Sequence, residues 1–166
     1  MRFRRVFRHL STPHWRTRMV FPQATLDAIE AAVAKAERTH AGEIRFAIET
    51  SLGPLQLWHD LSPRARALQL FAHLRVWDTA HNNGVLIYVQ LADRAVEIVA
   101  DRGLHERIGR SDWEAVCRLM EDHFRHGRYR AGAIAGVDAV GTLLARHYPA
   151  AASPGENRLP DRPTLL

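Results

Sequence analysis

The chain has one cysteine, Cys117, in 166 residues, which excludes an internal disulfide and any C-x-x-C pair for zinc or thiol exchange. No stretch approaches the roughly 18 uncharged apolar residues of a membrane-spanning helix. The paired arginines Arg4 and Arg5 lack the apolar run of about 7–15 residues that an export signal needs, so neither a cleavable signal peptide nor a transmembrane helix is expected. There is no G-x-x-x-x-G-K, G-x-S-x-G or H-E-x-x-H, and no internal repeat. Lysine is nearly absent as well, Lys35 being the only one among 23 basic residues. The arginine excess is a composition bias without functional weight.

Acidic residues are missing from one segment, and that absence organises the chain. Residues 1–20 hold Arg2, Arg4, Arg5, Arg8, Arg16 and Arg18 with no acid, whereas the remaining 146 residues hold 17 basic against 18 acidic ones. The formal charge of +5 therefore resides in the arm and the body is neutral, so a nucleic-acid partner is not expected. Phe3, Val6, Phe7 and Leu10 recur at helical spacing among the arginines, the pattern of a helix lying on an anionic membrane surface, or equally of a frayed, solvated arm or a helix packed on its own domain. The reading divides the chain into a basic amphipathic arm over 1–21, an α/β domain over 22–149 and a flexible polar tail over 150–166.

Within the domain, Pro22 opens a helical pattern of Leu26, Ile29, Val33 and Ala36 that Gly42 closes. Glu43–Thr50 switches to period two, with Ile44, Phe46 and Ile48 on one face, and predicts a strand. After a connection over 51–61, Ser62 and Pro63 start a helix running to about Val76 that buries Ala65, Leu68, Phe71 and Ala72. Val85–Val89 is unbroken and apolar, as for a central strand covered on both faces, and Ala95–Ala100 pairs with it across a short hairpin. Ser111 and Glu114 have capping-box spacing ahead of a third helix whose stripe includes Trp113, Val116, Cys117, Met120 and Phe124. A fourth helix spans about Tyr129–His147. This order predicts an α/β fold, a three-layer α/β/α sandwich with a small mixed sheet, whose first two strands run parallel through a right-handed crossover.

Parallel pairing brings the starts of the first two strands together, and the hairpin returns the end of the third to the same edge. Glu43, then Asp78, Asn82 and Asn83, then Asp101 with Arg102 should meet there. Carboxylate and amide oxygens from separate loops suit Ca2+ or Mg2+, hard cations that take oxygen ligands. Turn chemistry explains the same residues: Asn83-Gly84 as a tight turn, Asp78 as a turn cap, Asp101 as a strand end paired with Arg102, Glu43 as a solvated strand start. Other constellations are weaker. His123 and His126 lack a third ligand, Cys117 lies in an apolar stripe, and Gly132 and Gly136 indicate close helix packing.

Several segments together resemble the TPM domain. They are His40-Ala41-Gly42-Glu43-Ile44, Leu70-Phe71-Ala72-His73-Leu74 with Asp78-Thr79, Asn82-Asn83-Gly84-Val85-Leu86-Ile87, Asp93-Arg94, and Ala100-Asp101-Arg102-Gly103. The resemblance covers about residues 22–149. It implies an α/β/α sandwich with a divalent-cation site at the loop edge of the sheet, for which the positions here are Asp78, Asn82, Asn83 and Asp101, with Glu43 and Arg102 added. Family members include a plant thylakoid-lumen acid phosphatase and a photosystem II repair factor. Two expectations follow: a cation-binding module working with a membrane-associated protein complex, or a metal-dependent phosphatase using Asp101 and Arg102. Many members carry a signal peptide and a membrane span or glycine-rich tail. Without those features, the expected location is cytoplasmic, peripheral at the inner membrane.

Overall fold

The computed structural model describes residues 2–150 and 157–166, with the side chains of Arg2 and His105 excepted. Its centre is a four-stranded sheet of β1 (Glu43–Glu49), β2 (Gly84–Gln90), β3 (Ala95–Ala100) and β4 (Thr164–Leu165), in the order β3-β2-β1-β4. β1 and β2 run parallel with Glu43 opposite Gly84, while β2 and β3 are antiparallel with Val85 opposite Ala100. Every residue of β2 is buried, as expected for an inner strand with helices on both faces.

Period two assigns the two faces. Ile44, Phe46, Ile48, Val85, Ile87, Val89, Val96 and Ile98 point into one core beneath α3 (Gln23–Glu37), α7 (Arg110–Arg125) and α8 (Tyr129–His147). Ala47, Leu86, Tyr88 and Val99 point to the other, under α5 (Pro63–His73). The fold is the expected three-layer α/β/α sandwich. Gly132 and Gly136 let α8 lie against α7: added Cβ atoms there would run into His123 and Phe124, and into Met120.

Four local expectations differ from the structure. Although Ser62 caps α5 as predicted, the buried positions are Ala67 and Leu70, with Leu68 half exposed and Ala72 outside. On this buried side of α5, Arg66 grips Glu49 at 2.7–3.1 Å. The capping box does not form: α7 begins at Arg110 after Gly109, so Ser111 falls inside the first turn and Glu114 pairs with Arg110 at 2.7 Å. Two short helices, α4 (Pro54–Trp58) and α6 (Arg102–His105), occupy stretches read as connections. Finally, 157–166 is not a loose tail. β4 runs parallel to β1, Leu159 is buried, and Arg45 holds the segment through Pro160 O, Arg162 O and Thr164 Oγ1.

The arm forms α1 (Arg2–Leu10) and α2 (Trp15–Val20). It docks beside the β2–β3 hairpin through polar side chains. Arg5 reaches Asp93 at 2.7 Å, Arg8 reaches it at 3.0 Å, and buried His9 accepts the Leu52 N–H at Nδ1. In α2 the buried contact is also polar, Thr17 to Thr50 at 2.5 Å. Among the described residues no helix is long and apolar enough to cross a membrane.

Candidate site at the start of the parallel strands

The predicted convergence is present. Glu43 N–H donates to Asn83 O at 3.2 Å and Asp101 N–H to Gly84 O at 2.9 Å, so the starts of β1 and β2 and the end of β3 are laced through the loop that precedes Gly84. Asn82, rather than Asn83, adopts the left-handed conformation, with φ 52°. Gly84 is required for a different reason from the expected turn: the Val76 carbonyl lies where its Cβ would be. Gly103 similarly faces Asn82 O, which would sit 2.8 Å from an added Cβ.

The individual side chains then separate. Glu43 is buried instead of solvated, and its Oε2 accepts the Arg158 and Leu159 N–H groups, both at 2.8 Å, anchoring the last described segment. Asp78 is about half exposed and stands 3.9 Å from Arg158. Asn82 is exposed. Asn83 is buried: its N–H donates to Thr79 Oγ1 at 3.0 Å and its Nδ2 to Ala41 O, while its Oδ1 has no hydrogen-bond partner. Asp101 caps α6, with Oδ1 accepting the Arg102 N–H at 2.6 Å, and its Oδ2 is also buried without a partner. The Arg102 guanidinium is exposed and makes no ion pair among the described residues. Two oxygens flanking one Gly84 junction are thus desolvated with no compensating donor, a costly arrangement unless something electropositive meets them. Among the described residues no group of three or more His, Cys, Asp or Glu forms a metal cluster.

The family model for the TPM domain matches residues 17–143. The chain belongs to the TPM domain family. Among solved structures, the TPM fold here is similar to the NMR structure of the BA42 protein from the psychrophilic bacterium Bizionia argentinensis. That similarity has 28% identity and a TM-score of 0.72, covering 86% of this chain and 93% of that one. It is also similar to the N-terminal domain of a P. gingivalis protein, with 25% identity and a TM-score of 0.58 over 76% and 79% of the two chains. No curated protein matches.

Two polar centres of this TPM domain had no signal in the sequence reading. At the far end of β1, Glu49 accepts Tyr88 OH at 2.5 Å as well as Arg66; burial and the Glu49 carboxylate push the Tyr88 phenol well up. At the hairpin, burial would raise Asp93, but Arg5 and His9 outweigh it and hold the carboxyl below its usual range. Both centres join residues far apart in the chain, and an arginine at helical spacing signals neither partner. Cys117 packs against the first core, and burial pushes its thiol up to about 12.

Proposed function

We propose that this TPM domain is a divalent-cation-binding module, with Asn83 Oδ1 and Asp101 Oδ2 as the side-chain ligands. The observation that supports the reading is that both oxygens are buried and unpartnered on loops joined at Gly84. The donor set is a single carboxylate and neutral oxygens, with the Asn82 carbonyl beside Gly103 as a backbone addition, while Asp78 and Asn82 are outer contributors at the solvent side. So few charges suit Ca2+ better than Mg2+, which keeps its waters, and suit an affinity on the order of 10⁻⁴–10⁻³ M. Glu43 contributes by fixing the adjacent segment, since its Oε2 is already bonded to two N–H groups. A bound cation would neutralise the Asp101 carboxylate and order the two loops as a surface for a protein partner in a membrane-associated complex.

The test is a Ca2+ and Mg2+ titration followed by amide NMR, with Asp101→Asn as the control. Asparagine preserves the helix cap, so fold and α6 remain while the charge is lost. Saturable shifts over 78–84 and 101–103 that vanish in Asp101→Asn are the expected result. A wild-type spectrum that does not move removes the reading. The phosphatase alternative is favoured by one feature, the free Arg102 guanidinium beside Asp101, which could meet phosphoryl oxygens. Hydrolysis of p-nitrophenyl phosphate that requires both the cation and Arg102 would select it.

A further inference from the structure

Both helices of the arm are docked with polar residues buried and their largest apolar side chains outward, Val6 and Val20 being partly buried. In α1 the buried residue is His9, whereas Phe3, Phe7 and Leu10 are 88%, 72% and 71% exposed. In α2 the buried residue is Thr17, whereas Trp15 and Met19 are 62% and 67% exposed. A helix that merely covered its own domain would present the opposite faces, because apolar burial is the usual source of docking energy. Here the docking combines Arg5, Arg8 and His9 around Asp93 and the Thr17–Thr50 pair with the packing of Val20 and Phe21, at the end of α2, against the first core.

The exposed apolar surface extends beyond the arm. Phe3, Val6 and Leu10 line one groove with Pro54, Leu57 and Trp58 of α4, where Trp58 is 83% and Leu55 76% exposed. The two arm helices also carry exposed cations, Arg4 and Arg8 on α1 and Arg16 and Arg18 on α2, and residues 1–20 contain no acid. Asp60 lines the groove, and it and Asp93 are both engaged by Arg5. Bulky aromatic side chains projecting among guanidiniums match the two chemistries of an anionic bilayer, an apolar interior beneath negative headgroups.

We propose that α1, α2 and α4 form a pre-docked face that seats this domain on an anionic lipid bilayer, with Phe3, Phe7 and Trp58 entering the headgroup–acyl boundary and Arg4 and Arg18 contacting lipid phosphates. Because the arm is already held by its polar side, binding requires no release of the arm and fixes the orientation of the domain. The proposal is independent of the cation site, so failure of either leaves the other standing.

Co-sedimentation of the full chain with phosphatidylglycerol vesicles, compared with phosphatidylcholine vesicles, tests it. Binding to the anionic vesicles, weakened by salt, is expected, with a blue shift in emission that the Trp58→Phe variant diminishes. The Phe3→Ser/Phe7→Ser pair, Trp58→Ser and the Arg4→Glu/Arg18→Glu pair alter exposed side chains, so unchanged far-UV circular dichroism and thermal midpoint verify the fold. Each should weaken binding roughly tenfold or more. No sedimentation of the wild type, or undiminished binding by all of these variants, overturns the proposal. A wild-type dimer dissolved by Phe7→Ser, without vesicle binding, also overturns it and gives the face to a second copy of the chain.

Discussion

Glu37 is a carboxyl group placed where its proton matters. Its Oε1 accepts the Ile44 N–H at 2.8 Å and its Oε2 accepts from Asn157 Nδ2 at 3.0 Å, at the junction between α3, β1 and the 157–166 segment. Burial pushes it up to about 8 from an ordinary 4.5. The Ile44 N–H opposes that rise, whereas the nearby Asp161 and Glu43 carboxylates add to it. The folded state therefore binds this proton more tightly than the unfolded chain. Its contribution to stability is complete below about 4.5 and is lost as pH rises toward about 8. Glu37→Gln keeps an acceptor for Ile44 and removes the titration. Thermal midpoints across that window should decline for the wild type relative to the variant, and parallel profiles would show that Glu37 titrates normally. The sequence shows only a glutamate near a helix end; its hydrogen-bond partner Asn157 is 120 positions away.

At the scale of elements, periodicity was a good guide to existence and a poor one to orientation. The period-two runs of β1 and β3, the apolar β2 and the long α8 are visible residue by residue, because each buries a face at its own spacing. The α1 stripe is just as visible, yet spacing cannot reveal which side meets the domain, and the deciding partner, Asp93, lies 88 positions from Arg5. Asp93→Asn should consequently loosen α1 while leaving the sheet intact. Charged hydrogen bonds of this kind are worth about 1.5–3 kcal/mol, so hydrogen exchange over residues 2–10 should accelerate by roughly 10- to 150-fold. Acid should act in the same direction. Burial lowers His9, whose Nδ1 must stay unprotonated to accept the Leu52 N–H, so protonation replaces an acceptor with a donor. Docking is complete above about 6.5 and weakens as pH falls through the lowered His9 value. Loss of Asp93 follows only below its ordinary 3.8. An exchange rate over residues 2–10 that ignores both Asp93→Asn and acidification would mean that other contacts hold the arm.

For the whole molecule, handedness and parallel pairing made the sheet topology legible, and with it the meeting of Glu43, Asn83 and Asp101 at one edge. What Glu43 does there was not legible, because it depends on a segment without periodicity. β4 is two residues long, and polar anchors distributed over β1 and α3 hold the 157–166 segment: Arg45, Glu43 and Glu37. This segment covers the outer edge of β1, where Leu166 N–H donates to Ile48 O at 2.9 Å. Deleting 157–166 should strip three supports at once. Glu43 loses both N–H donors while remaining among buried neighbours, Leu159 leaves the second core, and β1 exposes an unpaired edge able to recruit another chain. The expected outcome is a thermal midpoint lower by several degrees and concentration-dependent association in sedimentation velocity. Restoring the segment as a separate peptide should reverse both effects. A truncated chain that stays monomeric with an unchanged midpoint would show that the sheet is self-sufficient at three strands.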